Sequence, residues 1–362
     1  MRYYIIAGEA SGDTYGAELM AAIKKQDDDA VLRFWGGELM RQESELQAMD
    51  YSKTAFMGFW EVIKNIDVIR KLFRFAKKDI LEFKPDRIIF IDYPGFNLRM
   101  ADWAHAQGFP TSYFVAPQLW AWKKNRYKKI KKAVDQLFVI LPFEQKFYEE
   151  LGITAQYFGH PLEAMIEVKP QKNVLEEPLK IGILPGSRQQ ELEKHLPVFN
   201  ELILSKPAVE FQIGLAPQIN QAQILEILKV TPPNLNFSRD TKKMIRAVDL
   251  AIVKSGTSTL ETALIGTPQV VIYKTSKLSY LIGKKLVDLP FISLVNLISG
   301  KEIVKELIQD EFTTANLHRE IDAILQPEKL SYIQKSYKDL RKQLKGGKVF
   351  DLVAQEIIKL EV

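Results

Sequence analysis

The 362-residue chain contains no cysteine, which excludes disulfide staples and thiolate metal ligands and suits a reducing, cytoplasmic compartment. It has no apolar run near the roughly 20 residues that cross a bilayer. The opening "MRYYIIAGEASGD" is no secretory signal, because its apolar part is short and merges into a glycine turn. No G-x-G-x-x-G follows either opening strand and no G-x-x-x-x-G-K-[ST] occurs, so the usual dinucleotide and P-loop phosphate cradles are missing. Neither charge sign dominates: 50 Lys and Arg face 45 Asp and Glu, a net charge of +5. Nothing resembles an RNA- or DNA-binding module, and no nucleic-acid partner is expected.

What the chain does have is strand–helix alternation. Near-continuous apolar runs at 2–8, 30–36, 86–93, 110–116 and 135–141 are read as strands, with helical stretches at 16–26, 61–83, 97–108 and 143–152 between them. The polar, proline-flanked "EVKPQKNVLEEP" (167–178) reads as a linker, after which strands restart at 179–187, 210–216, 234–238, 249–256 and 268–274. The last residues look helical, with a break at Gly346–Gly347. The expected fold class is α/β, with two Rossmann-like domains built on parallel doubly wound sheets that face a cleft. Their expected bounds are 1–168 and 169–345, followed by a C-terminal helix, 346–362, that either returns to the first domain or exchanges with a partner chain. The second arrangement leaves a homodimer open.

Three turns carry chemistry. "AGEASGD" (7–13) places Glu9, Ser11 and Asp13 after the first strand, where ligands sit in open α/β sheets. "ILPGSRQQEL" (183–192) runs from a strand into a helix start, whose free N–H groups and dipole suit an anion, with Arg188 as a bidentate phosphate fork or simply a solvated arginine. In "KSGTSTLETALIGTP" (254–268), Thr257, Ser258 and Thr259 compete to cap a helix, while Glu261 reads either as a ribose ligand or as a capping-box glutamate. "QDDDA" (26–30) matches an Asp-x-Asp metal motif by letter, but its place between a helix and a strand favours an ordinary acidic turn, and no metal or other cofactor is expected.

Two nucleotide-type halves with phosphate-binding turns in the second describe a two-domain, GT-B type glycosyltransferase. The chain resembles one family in particular, bacterial lipid-A-disaccharide synthase. The segments that carry the resemblance are "GEASGD" (8–13), "MGFWEV" (57–62), "IDYPGFN" (91–97), "WAW" (120–122), "LPFE" (141–144), "GHPL" (159–162), "LPGSR" (184–188), "SGTSTLETAL" (255–264) and "SLVNLISGKEIVKELIQ" (293–309). They span nearly the whole chain in order. The resemblance implies an inverting, metal-independent transferase that joins UDP-2,3-diacylglucosamine to 2,3-diacylglucosamine 1-phosphate, releasing UDP. Gly95 departs from the family by standing where a second acid is frequent, Val295 replaces a frequent proline, and Trp60 replaces an aliphatic residue.

On this reading Asp92, at the carboxyl end of a strand, is the base that deprotonates the acceptor hydroxyl. Its "DYPG" context equally suits a turn-capping aspartate, and the resemblance favours the base. An aspartate near its ordinary pKa would have to rely on placement rather than on a match to neutral pH. His160 is the second candidate, set against a hinge histidine satisfied by backbone. Glu9 and Ser11 would line the acceptor side and Asp13 would cap the following helix. Arg188, the turn Ser255-Gly256-Thr257 and Asn296 would stabilise the leaving UDP, with Glu261 on its ribose.

The substrates carry acyl chains, so the protein should work on the anionic inner-membrane surface, peripherally and from the cytoplasmic face. In 61–83, Val62, Ile66, Ile69, Phe73, Ala76 and Ile80 form one apolar stripe, which Phe59, Trp60, Leu72 and Phe75 widen and Lys64, Arg70, Lys71, Arg74, Lys77 and Lys78 border. "KKNRYKKIKK" (123–132) adds seven basic residues and no acid. The competing readings are a non-catalytic membrane-surface module of the same fold, and a transferase or epimerase acting on another UDP-sugar.

Overall fold

The computed structural model describes residues 1–51, 66–121, 124–170, 177–229, 231–276, 280 and 289–360. They form two compact units, residues 1–164 with 345–362 and residues 165–344. Each is an α/β unit around a parallel sheet.

In the first unit the strands are β1 (Arg2–Ala7), β2 (Val31–Gly36), β3 (Gln47–Asp50), β4 (Arg87–Ile91), β5 (Thr111–Phe114), β6 (Gln136–Val139) and β7 (Ala155–Tyr157). Their order across the sheet is β3-β2-β1-β4-β5-β6-β7. The helices are α1 (Ala10–Lys24), α2 (Glu38–Glu43), α3 (Ile66–Phe83), α4 (Pro94–Ala106), α5 (Tyr127–Ala133), α6 (Glu144–Glu149) and α7 (Pro161–Met165). The central strands "RYYIIA" and "RIIFI" read as unbroken apolar runs because helices cover both faces, leaving Tyr3 to Ala7 and Ile88 to Ile91 without exposed surface. The strand order reverses between β1 and β4, so the loops after them share the sheet's switch point.

The second unit repeats the plan with β8 (Lys180–Leu184), β9 (Glu210–Gly214), β10 (Leu235–Ser238), β11 (Leu250–Lys254), β12 (Gln269–Tyr273) and β13 (Glu306–Ile308), in the order β10-β9-β8-β11-β12-β13. Its helices are α8 (Gln189–Ser205), α9 (Gln221–Leu228), α10 (Thr241–Ala247), α11 (Thr257–Ile265), α12 (Leu294–Ser299), α13 (Thr314–Ile324) and α14 (Pro327–Leu344). Here the order reverses between β8 and β11.

The last helix, α15 (Val349–Lys359), belongs to the first unit and lies along α1. Phe350 meets Phe114 edge to face at 6.1 Å, and the Arg87 guanidinium donates to the carbonyls of Ile357 and Leu360. The chain enters this position through a backbone-to-backbone contact. A Cβ on Gly159 would lie 2.2 Å from the Gly346 Cα, and Gly159 has φ +110°, so neither glycine can carry a side chain.

Two local expectations change. The helix read at 16–26 begins at Ala10. Gly12 and Gly16 are therefore helical close-packing positions, not turn residues: a Cβ on Gly12 would stand 3.2 Å from the Ala7 Cβ, and one on Gly16 would stand 2.6 Å from the Met40 Sδ. The strands β3, β7 and β13 were not expected, being three or four residues long with sequences "QAMD", "AQY" and "ELI" that carry no apolar run.

Candidate active site

Asp92 directly follows β4, and its neighbour Tyr93 precedes α4. Both occupy the left-handed region, with φ of 46° and 49°, a conformation that costs on the order of 1 kcal/mol or more at each non-glycine residue. The surroundings hold it there. The buried Asn97 side chain donates to the carbonyls of Ile6 (3.2 Å), Ile91 (3.2 Å) and Asp92 (2.8 Å), tying the ends of β1 and β4 together. The Tyr113 hydroxyl donates to the Asp92 carbonyl at 2.5 Å, and the Asp92 N–H to the Phe114 carbonyl at 3.1 Å. Gly8 completes the frame, because a Cβ there would stand 2.3 Å from the Tyr93 ring.

The twisted backbone brings the Asp92 carboxyl against that of Glu9, the residue after the β1 turn, and the two share a hydrogen bond. The Ser11 hydroxyl donates to Glu9 Oε1 at 2.7 Å. The fold thus brings Glu9, Ser11 and Asp92 together at the first switch point. Burial pushes the Asp92 carboxyl up to about 8, helped by the charge of Glu9 and their hydrogen bond and, more weakly, by Glu144, with the Tyr93 N–H opposing. That corrects the expectation of an ordinary aspartate: its environment moves it toward neutral pH, where a general base operates best.

Glu144, in "LPFE", was not expected in this neighbourhood. It has no exposed surface and accepts from Trp120 Nε1 (2.8 Å) and from the amides of Ile140 (3.1 Å) and Leu141 (2.9 Å). Burial raises its carboxyl to about 7 against those three donors. His160 is 1% exposed and its Nδ1 accepts from the Leu162 N–H at 3.1 Å, while burial lowers its pKa to about 3. Burial keeps the ring neutral, and backbone holds it through Nδ1. Asp13 does not cap the helix that follows the motif, because that helix has already begun. Its carboxylate instead accepts the amides of Gly37 (2.6 Å), Leu39 (3.1 Å) and Met40 (3.2 Å) at the start of α2. In "QDDDA", Asp27 accepts from the Tyr3 hydroxyl at 2.8 Å and from the Met1 ammonium at 2.9 Å.

The second unit places an open cavity of about 420 Å³ over the carboxyl ends of β8, β9 and β11. Its floor is the turn Pro185-Gly186-Ser187 and the turn Ser255-Gly256-Thr257-Ser258, with Lys254 and Arg239 on its walls. Helix α11 starts with Gly256 as its cap residue and no side-chain cap. The expectation that one of Thr257, Ser258 or Thr259 caps it fails, since Thr259 Oγ1 turns back to donate to the Gly256 carbonyl at 2.8 Å. The first turn of α11 is thus offered to the cavity without a side-chain acceptor, as an anion requires. Gly256 has φ +155° and empty space where a Cβ would point, which lets a ligand approach the backbone closely.

Arg188 caps α8 through its backbone, and its side chain is 61% exposed, 3.8 Å from Glu191. Glu191 is the better-held group. Burial pushes its carboxyl up, but Lys254 (2.9 Å), Arg188 and the Ser187 N–H (3.1 Å) outweigh this and leave it below the ordinary range. Ser255 Oγ donates to the Ile292 carbonyl at 2.8 Å. Glu261 is the fifth residue of α11, so it cannot be the third-position glutamate of a capping box. It is half-buried, 4.0 Å from Lys242, and burial raises its pKa.

Asn296 departs from its expected role. It has no exposed surface, its Nδ2 donates to the Val304 carbonyl (2.8 Å) and Glu306 Oε1 (2.9 Å), and its Oδ1 accepts from the amides of Ile303 (2.8 Å) and Val304 (3.0 Å). Every hydrogen-bonding capacity of the amide is spent on the loop it closes, which leaves nothing for a phosphate.

Sequence reasoning missed Lys254, Arg239 and Glu144. A lysine ending the apolar strand "LAIVK" and an arginine in "SRD" before a helix are the signals that were there. The membrane reading falls partly outside the described residues, namely Phe59, Trp60, Val62, Lys64 and Lys123. Within them, Ala76 and Ile80 have no exposed surface, and Leu72 and Phe73 pack on the same core, whereas Val68, Phe75 and Leu81 are 36%, 38% and 47% exposed. Among the described residues no helix is long and apolar enough to cross a membrane.

A family model described as lipid-A-disaccharide synthetase matches residues 3–358. Lipid-A-disaccharide synthase of Trichlorobacter lovleyi is 37% identical over 359 residues, covering 96% of this chain and 94% of the relative. That of Syntrophus aciditrophicus is 38% identical over 356 residues, covering 94% and 92%. Among solved structures, the S. aureus MnaA–UDP co-structure has a TM-score of 0.67 at 12% identity, covering 99% of this chain and 94% of that one. The calicheamicin glycosyltransferase CalG4 has a TM-score of 0.63 at 12% identity, covering 100% of both chains. At such identities the structures share the fold, the two-domain α/β architecture of GT-B glycosyltransferases and UDP-GlcNAc 2-epimerases.

Proposed function

The chain belongs to the lipid-A-disaccharide synthase family, and from that premise we propose that it transfers a 2,3-diacylglucosaminyl group from UDP to 2,3-diacylglucosamine 1-phosphate. The products are a β-1′,6-linked disaccharide 1-phosphate and UDP. The observation that carries this reading is the juxtaposition of the Asp92 and Glu9 carboxyls at the first switch point, with Asp92 pushed up by burial on a strained, clamped backbone.

In the proposed step Asp92 removes the proton of the acceptor hydroxyl as its oxygen attacks the anomeric carbon from the face opposite the diphosphate. The bond to the UDP oxygen breaks with its electron pair, and inversion follows. Glu9, oriented by Ser11, keeps the Asp92 carboxylate basic. In the second unit the leaving diphosphate rests on the open first turn of α11 at Gly256 and Thr257, with Arg188, Lys254 and Arg239 supplying positive charge. Ser255 and Glu261 lie on the nucleotide side. MnaA, solved with UDP, shares the fold, which supports a uridine nucleotide here.

The protein also associates peripherally with an anionic leaflet in this reading, through exposed Val68 and Phe75 beside Lys71 and Lys78 of α3 and through Lys128, Lys129 and Lys131 of α5. The decisive test is product analysis. Purified protein incubated with the acylated pair should yield stoichiometric UDP and a product whose mass is that of the disaccharide 1-phosphate. Release of a free epimeric sugar, or no turnover with any acylated pair, would reject it.

A further inference from the structure

Helices α3 and α4 of the first unit enclose a shallow cavity of about 440 Å³ that the transfer step does not use. Arg70, Arg74 and Lys77 recur four and three residues apart on α3, so they share one face, and Arg99 joins them from α4. Phe73 forms the apolar part of the wall. Among the described residues no carboxylate lies within ion-pair distance of Arg74, Lys77 or Arg99. Among the described residues Arg70 pairs only with Asp67, at 3.3 Å, where both side chains are mostly exposed and the pair contributes little. Arg99 also presses on Arg126, whose pKa is lowered by burial first and by Arg99 second. Among the described residues these four cations have one carboxylate partner, Asp67, and Lys77 also lies 5.3 Å over the Trp103 ring, so like charges gather around one cavity that suits an anion.

The position of the cavity says which anion. Phe73 stacks on Phe96 with centroids 4.2 Å apart, and Phe96 stacks on Tyr93 at 5.6 Å. The cavity is therefore two ring contacts from the residue beside Asp92. Leu81, four residues beyond Lys77 and on the same face of α3, is exposed. A ligand that offers a compact dianion, a polar ring and acyl chains matches this sequence of surfaces.

We infer that Arg70, Arg74, Lys77 and Arg99 bind the phosphomonoester of the acylated glucosamine 1-phosphate acceptor. The identity of that acceptor rests on the transferase reading; the site itself rests on the cavity. A leaflet phospholipid could present related chemistry, and the test separates the two sources.

Full-length protein in mixed micelles is titrated with 2,3-diacylglucosamine 1-phosphate and with the same lipid lacking the phosphate, comparing wild type with Arg74→Gln/Arg99→Gln. Expected are roughly 10- to 100-fold weaker binding of the phosphorylated lipid by the variant, equal binding of the dephosphorylated one, and a KM that rises far more than kcat falls. UDP affinity and Tm should match wild type; should Tm fall, Lys77→Gln replaces the double variant in the same titration. Equal affinity of wild type and variant for the phosphorylated lipid overturns the proposal, as does wild type binding both lipids alike. Loss of binding to phosphatidylglycerol vesicles with acceptor affinity intact assigns the cluster to the leaflet and likewise overturns it. Wild type that binds the phosphorylated lipid selectively but forms no disaccharide removes the transferase reading and leaves the site.

Discussion

At the scale of single residues, proton chemistry is where environment matters most. With Asp92 raised by burial and by Glu9, kcat/KM should rise with pH along a limb whose apparent pKa lies far above the ordinary aspartate range. Glu9→Gln removes the neighbouring charge and should move that limb to lower pH, measured as a pH–rate profile at saturating UDP-sugar; an unmoved limb would separate Glu9 from the base. Glu144 gives a stability counterpart. Its pKa in the fold is raised, so its contribution to stability is present in acid and lost as pH rises through about 7. Glu144→Gln should flatten that part of the Tm profile between about pH 5 and pH 8, read by calorimetry. Asn296→Ala strips four hydrogen bonds from a closed loop and should cost about 2–4 kcal/mol in denaturant unfolding. The place of Asp92 at the end of an apolar strand was readable, but its role was not: the "DYPG" context suits a turn cap as well as a base, and only the family resemblance favoured the base. The role of Asn296 was not readable: an asparagine that closes its own loop and one that binds phosphate have the same letters around them, and only the positions of Val304 and Glu306 tell them apart.

At the scale of elements, the account depends on two turns. Gly186, with φ +113°, would bring a Cβ to 2.4 Å from Glu191 Oε2. Gly186→Ala should therefore displace Glu191 and the Ser187 amide and weaken UDP binding roughly tenfold or more, measured by isothermal titration, at a stability cost of about 1–2 kcal/mol. The central strands were legible because strands covered on both faces must be apolar at every position, as in "RIIFI" and "LAIVK". The edge strands "QAMD" and "AQY" were not, since one ladder of hydrogen bonds specifies them and no pattern marks it. The early start of α1 was hidden by Gly12 and Gly16. In the sequence Gly12 looks like a turn residue and Gly16 like a helix start, and in the fold both let α1 lie close to β1 and α2. The missing cap of α11 was equally hidden: three hydroxyl residues stood ready, yet the helix begins one residue sooner, on a glycine.

At the scale of the whole molecule, two units repeat one plan, each with its candidate groups where its strand order reverses. That repetition was legible from the alternation of strands and helices and from the restart after residue 178. The return of the last helix to the first unit was one of two readings the sequence left open, and its seat along α1 was not legible, because an amphipathic helix announces a buried face without naming its neighbour. Surface cations and exposed apolar side chains on α3 lead to a salt-dependent affinity for anionic vesicles: cosedimentation should be strong with phosphatidylglycerol, weak with phosphatidylcholine, and reduced at high ionic strength. The most direct measurement pairs single-turnover disaccharide formation with calorimetric UDP binding in wild type and Asp92→Asn. A loss of roughly 10²–10⁴-fold in the chemical step with UDP affinity unchanged is the expected result. Turnover by Asp92→Asn near the wild-type rate would contradict the assignment of Asp92 as the base.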